Sequence, residues 1–201
     1  IRVPRPDLSV KLGTPNACNQ CHDDQDPQWA ADHVVEWYGE KRRDIPHYAH
    51  AIDAGRKGLP EGEALLQPWA RQRSISPMVR ASAVSLLGQY NSPDSLETIQ
   101  RALEDPDAIV RAAAVRQIER LPDSQLVAQL SPLLDDPTRV VRTEAARVLT
   151  RVNNEVMRGT QREAYQQALQ EYIDGQLGLA DQAAAHHNLG QLLHDVERFD
   201  E

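Results

Sequence analysis

The apolar positions of this chain keep two rhythms at once. Within each segment of its middle they fall three and four residues apart, the spacing of one helical face. The whole arrangement then returns after 31 residues. Val79-Arg80 is followed by Val110-Arg111 and Val141-Arg142, Ala83 by Ala114 and Ala145, and Leu87 by Ile118 and Leu149. Between these, Leu96, Ile99 and Leu103 align with Val127, Leu130 and Leu134, and Asp105-Pro106 aligns with Asp136-Pro137. Two helical patterns per unit at a period of about 20–50 residues predict a stacked helical solenoid, since one unit cannot bury its own apolar stripe. The expected fold class is all-α, an α-α superhelix. The alanines let paired helices approach closely, and Pro106 and Pro137 are expected to start each second helix.

The flanks follow other patterns. Pro4, Pro6 and Pro15 predict an extended lead over residues 1–16, made locally basic by Arg2 and Arg5. Asp26-Pro27 reads as a cap and first helical position, with Trp29, His33 and Trp37 at fours on one face and Gly39 at the end. Pro46 is expected to open a second helix closed by Gly55 and Gly58, in which His47 and His50 share a face. Pro68 predicts a kink. Beyond residue 152 the rhythm changes: Thr160-Gln161-Arg162-Glu163 reads as a capping box. Tyr165, Leu169 and Tyr172 mark a helix ending near Gly175, and a last helix starts near Asp181. The expected domains are 1–58, 59–152 and 153–201.

Composition narrows the function. The formal charge is −8, which argues against nucleic acid and anionic membrane surfaces. No apolar run approaches the roughly 20 residues of a membrane span. The chain begins at Ile1 without an initiator methionine and is read as an internal piece of a longer protein.

Its two cysteines stand in Cys18-Asn19-Gln20-Cys21-His22. This spacing places two thiols beside the vinyl groups of a haem, with the next histidine as iron ligand. Zinc would need a fourth ligand, a thioredoxin-like pair would need a βαβ setting, and a structural or oxidised pair is the remaining alternative. His47 and His50 are the candidates for the distal iron ligand; His33 is read as core or surface. His186, His187 and His194 are read as helix packing or surface, and the carboxylates at Asp23-Asp24-Asp26 and Asp135-Asp136 as caps and turns. No nucleophile–base arrangement or phosphate loop is present, so the chain is not expected to be an enzyme.

Three resemblances sharpen these expectations. Asp-Pro-x-x-x-Val-Arg-x-x-Ala resembles short HEAT-like repeats over about residues 60–152. That family implies a polar ladder in which a loop aspartate bonds the helix arginine of a stacked neighbour. Asp105, Asp136, Arg80, Arg111 and Arg142 match its columns, whereas Ser74 replaces the first aspartate and Pro77 is displaced. His186, Leu189-Gly190, Leu193 and Phe199 resemble the start of a tetratricopeptide (TPR) repeat, with His186 in place of the usual large apolar residue. The segment from Gly13 through His22, with Trp29-Ala30-Ala31 and Trp37-Tyr38-Gly39, resembles the last haem-binding segment of bacterial multihaem c-type cytochromes, in which HEAT-like and tetratricopeptide repeats follow.

That last resemblance implies covalent haem c on Cys18 and Cys21, His22 as proximal ligand, and a periplasmic or other extracytoplasmic location. It also allows the distal ligand to be an upstream histidine or solvent. The expected function is an electron-transfer module on a helical-repeat scaffold, facing a redox partner or neighbouring haem domains; the parent protein could be a multihaem oxidoreductase. The alternative is a HEAT/TPR scaffold that holds a protein or peptide in its groove, without haem in this fragment. A recombinant fragment made without the maturation machinery could carry bare thiols.

Overall fold

The structure, a computed structural model, describes residues 4–152 and 157–197. Among these the regular elements are all helical. They form two compact units, one up to Leu65 and one from Leu66 onward.

In the first unit, α1 (Pro6–Leu12) packs on α2 (Pro27–Tyr38) and α3 (Ala49–Arg56). Leu8, Ala30, Ala31, Val34, Ala51 and Ala54 form its core. α1 corrects the expected extended lead. Pro6 occupies the first turn, where its missing N–H costs nothing, and Gly13 ends the helix at φ 69°. Arg5 is not a free basic group: it grips Asp7 with two bonds of 2.8 Å and donates to the Ile45 carbonyl at 3.1 Å. The Arg5 bond holds the Asp7 carboxyl below its usual range, against the opposing effect of burial. Asp26 caps α2 by accepting from the Trp29 N–H at 2.7 Å, and Gly39 closes it at φ 82°. The second expected helix is shorter than its pattern suggested. A 3₁₀ turn covers Glu40–Asp44, and α3 starts at Ala49, whose N–H donates to His47 Nδ1 at 3.2 Å. His47 therefore precedes the helix that carries His50, and the two share no helical face.

The second unit contains the part of α4 (Gly62–Arg71) from Leu66 on, α5 (Pro77–Leu87), α6 (Pro93–Ala102), α7 (Ala108–Gln117), α8 (Asp123–Leu130), α9 (Arg139–Leu149), α10 (Thr160–Leu177) and α11 (Ala183–Glu197). α4 runs through Pro68 to Arg71. α7 lies between α5 and α9, and α10 packs on α9 as the next member of that row. The recurring columns line its interior: Ala83, Ala114 and Ala145 are fully buried, as are Leu87 and Leu149, with Ile118 at 1% exposure. α6 packs against α5 and α7 and buries Thr98 and Ile99, while α8 leads into a 3₁₀ turn at Ser131–Asp135 that meets α9 and α10.

α5, α7 and α9 each carry, at the same repeat position, an arginine that joins two layers. Arg80 binds Asp105 at 2.8 and 3.1 Å, and Arg111 binds Asp136 at 2.7 and 2.9 Å. The same guanidiniums donate back to the turn before their own helix: Arg80 to the Ile75 carbonyl at 2.7 Å, Arg111 to that of Asp105 at 2.8 Å. Each aspartate also accepts the N–H two residues on, Asp107 at 2.9 Å and Thr138 at 2.8 Å. Arg80, like Arg111, meets only backbone on its own side, and Ser74 offers no carboxylate of the kind that Asp105 and Asp136 give to the preceding layer. Arg142 follows the same plan but finds Glu171 on α10 at 2.8 Å, and donates to the Asp136 carbonyl at 2.7 Å. Pro106 and Pro137 lie in the turns rather than at helix starts; Asp107 and Thr138 are the N-cap residues.

α10 corrects two further expectations. Gly159, not Thr160, is its N-cap, with φ 56°, and no capping side chain bonds there. The helix continues through Gly175 to Leu177, since Gly175 does not take the left-handed backbone that would end it; its missing Cβ leaves room for the Arg139 guanidinium, which a Cβ would approach to 3.2 Å. Ala185 and Leu192 are the buried residues of α11, while His186, His187, Leu193 and His194 are exposed; Phe199 lies outside the described residues.

The Asp136–Arg111 pair is nearly buried, at 5% and 12% side-chain exposure. Burial raises the Asp136 carboxyl, but the bonds from Arg111 and Thr138 outweigh it, so its pKa is lowered. A lowered folded-state pKa stabilises the fold above the unfolded value of about 3.9, and that stabilisation drains away as pH falls through the folded value. Asp136→Ala is expected to cost about 3–5 kcal/mol in urea denaturation, since it strands a buried guanidinium. The stability gap between wild type and Asp136→Asn should stay constant above about pH 5 and close below about pH 4.

Candidate functional site

The Cys18–Gln20 segment is a 3₁₀ turn, extended by bonds from the Cys21 and His22 N–H groups to the Cys18 carbonyl, at 3.2 and 3.0 Å. Asn16 organises it. Its Oδ1 accepts from the Cys18 and Asn19 N–H groups at 3.0 and 3.2 Å, while its Nδ2 donates to Ser9 Oγ on α1 at 3.1 Å and to Asn19 Oδ1 at 2.7 Å. Asn19 then donates to the Gln25 carbonyl at 2.8 Å, which fixes the path from the motif to the cap of α2. Short polar side chains thus hold a loop that has almost no apolar core of its own.

This path brings the motif against the aromatic face of α2. The rings of His22 and Trp29 lie 4.9 Å apart, Trp29 and His33 4.4 Å, and His33 and Trp37 5.9 Å edge-on. Between them opens a cleft of about 220 Å³ lined by Ala17, Cys18, Cys21, His22, Trp29, Ala30, His33 and Trp37. Both cysteines are free thiols, Cys18 half-buried and Cys21 exposed, and His22 is exposed. Trp37 is 65% exposed, a large apolar surface left to solvent at the cleft's edge.

Cys18, Cys21 and His22 are therefore brought together on one cleft. His47 and His50 are not among its lining residues; the His47 ring lies 4.2 Å from that of Tyr48, and His50 is exposed on α3. His33 lines the cleft instead, with Nδ1 2.9 Å from the Trp29 carbonyl. When Nδ1–H donates there, Nε2 is left with its lone pair, the arrangement that a backbone carbonyl imposes on ligating histidines. The spacing of Trp29, His33 and Trp37 gave their common face. What spacing did not give was that His22 joins it, because the joining segment is non-helical and its course depends on Asn16 and Asn19.

The residues present fit a c-type haem in two respects: both thiols border one apolar cleft, and the His22 imidazole sits beside them with an aromatic wall. At about 220 Å³ the cleft lies below the range of about 300–1,000 Å³ that encloses a whole small ligand, so it would cover one edge of a macrocycle. Among the described residues, no group of three or more His, Cys, Asp or Glu side chains is arranged to hold a bare metal ion. None of the described helices is long and apolar enough to cross a membrane.

Comparison with known families finds HEAT repeats over residues 64–150 and, in an overlapping second match, over 98–186. The second match takes in α10 and the beginning of α11, beyond the end of the 31-residue rhythm. No curated protein matches the chain.

Asn16→Ala removes the acceptor of two backbone N–H groups. Hydrogen exchange of the Cys18 and Asn19 amides is expected to accelerate about tenfold, the equivalent of about 1.4 kcal/mol, with α7 and α9 amides unchanged.

Proposed function

This chain belongs to the HEAT-repeat family, and on that premise we propose that its repeat stack is a scaffold on which another protein docks. The observation that carries the proposal is the arginine-linked row of α5, α7, α9 and α10. It sets equivalent side chains of successive layers at regular intervals on one connected surface. A surface already held in place loses little conformational entropy on binding, so more of the contact energy appears as affinity. The role is non-catalytic, and the acidic balance of the chain points to protein rather than nucleic acid as partner. Selection from a displayed random-peptide library tests it. Enriched peptides are expected to protect amides of the second unit from hydrogen exchange; no enrichment above an unrelated helical protein would count against docking.

A second reading is favoured by the cleft of the first unit. Cys18 and Cys21 would hold haem c by thioethers, each thiol adding across one vinyl group, and His22 would be the proximal iron ligand. Such a group supplies one-electron transfer. Trp29 would orient the His22 ring, Asn16 and Asn19 would hold the thiols in register, and Trp37 would shield an edge. The distal ligand is open among His47, His50, an upstream histidine and solvent; the cleft adds His33 to that set. The parent protein on this reading is a multihaem c-type cytochrome, working in the periplasm or another extracytoplasmic space, with tetratricopeptide repeats following α11. Any reduction of a small substrate would belong to haems elsewhere in the parent.

Expression with cytochrome-maturation machinery is expected to give a haem stain that survives denaturation. The stain should fall in Cys18→Ala or Cys21→Ala and vanish in the double variant. A folded, unstained wild-type chain under those conditions would remove the haem reading and leave the scaffold.

A further inference from the structure

The second unit holds a cleft of about 580 Å³ bounded by α7, α9, α10 and α11, and its chemistry is unlike that of the buried ladder. Three arginines and two glutamates form one network. Glu144 takes Arg116 at 2.7 Å and Arg147 at 3.0 Å, while Glu119 takes Arg147 at 2.7 Å and Arg151 at 3.3 Å. Both oxygens of each glutamate are engaged, whereas each guanidinium has five N–H donors and spends one or two here. Arg116 and Arg151 are about half exposed, so their remaining donors face water.

Two polar groups in the same cleft lack partners. The Tyr172 ring is buried, while its hydroxyl reaches the cleft and makes no hydrogen bond among the described residues. Its phenol pKa is raised by burial, and it stands within electrostatic reach of Arg147 and Glu144. An accessible hydroxyl on a ring held by packing can exchange water for a ligand atom without ordering a new side chain. Asp195 on α11, half-buried, has no hydrogen bond or ion pair among the described residues. The lining therefore joins a donor-rich centre of net charge +1 to a free carboxylate at one side.

We propose that this cleft is where the partner docks, and that it receives an extended peptide segment carrying one carboxylate and one cationic side chain. The carboxylate meets Arg116 and Arg151, the Tyr172 hydroxyl bonds the segment, and the cation meets Asp195. The proposal rests on the scaffold reading and adds to it the place and the chemistry. A purely anionic ligand fits less well because Asp195 repels it; a purely cationic one meets the surplus guanidinium charge. The volume lies in the range of sites that hold small ligands and short segments.

The probe is a set of four acetylated tripeptide amides added to the full 201-residue chain: Lys-Ala-Glu, Gln-Ala-Gln, Glu-Ala-Glu and Lys-Ala-Lys. Arginine Nε–H and backbone NMR signals are followed on titration. Lys-Ala-Glu is expected to shift the signals of Arg116, Arg151 and Tyr172 and to bind about tenfold more tightly than Gln-Ala-Gln. Tyr172→Phe, which keeps the ring and so the packing, should weaken it several-fold. Asp195→Lys should reverse the ranking of Lys-Ala-Glu and Glu-Ala-Glu, a result no loss of folding can mimic. Equal binding of all four peptides, shifts confined to other faces, or an unchanged ranking in Asp195→Lys would overturn the proposal. Library-selected peptides that protect a different face of the second unit would also overturn it while leaving the scaffold reading intact.

Discussion

A guanidinium that touches two layers at once is the interaction on which this structure depends. Arg80, Arg111 and Arg142 each donate to the turn before their own helix and to a carboxylate of the next layer. Stacked helical hairpins touch only their neighbours, and apolar contact alone leaves the register between layers weakly defined. A buried charge pair adds little net stability but penalises any register that leaves it unpaired. The ladder thus specifies how far one layer is turned and shifted against the next, and the alanine columns at 83, 114 and 145 permit the close approach that the pairs require.

The first unit is held differently. Its core is a handful of alanines with Leu8 and Val34, and the loop bearing the two thiols depends on Asn16 and Asn19. These amides place Cys18, Cys21 and His22 against the ring face of α2 without burying them. A site that must admit a large planar group, or a partner, needs its reactive atoms accessible and its backbone restrained, and this loop satisfies both conditions. The charged cleft of the second unit shows the same division: saturated glutamates restrain the arginines, whose remaining donors stay open.

The repeat was legible because three residue columns return together, and coincidence in three columns at one period has few other causes. The ladder partners of Arg80 and Arg111 were legible for the same reason, each lying 25 residues on. The partner of Arg142 was not: Glu171 lies 29 residues on, in a helix rather than a turn, so the column pattern ends although the packing continues through α10. α1 has no clear signal in sequence, because Pro6 would break a helix interior but sits in the first turn, where proline is tolerated. The pairing of His47 with His50 failed because His47 receives the Ala49 N–H and stands before the helix. The approach of His22 to Trp29 depends on a loop whose hydrogen bonds leave no periodic trace. The cleft around Tyr172 depends on α11 folding back on α10, a tertiary contact with no local signal.

Neighbouring layers are coupled through the ladder. A double-mutant cycle on Arg111→Ala and Asp136→Ala, measured by urea denaturation at pH 7, reads that coupling directly. The predicted interaction energy is about 2 kcal/mol or more, since the two groups are nearly buried and meet through two hydrogen bonds. Additive single effects, with an interaction within about 0.5 kcal/mol of zero, would contradict it: the layers would then be held by apolar packing alone.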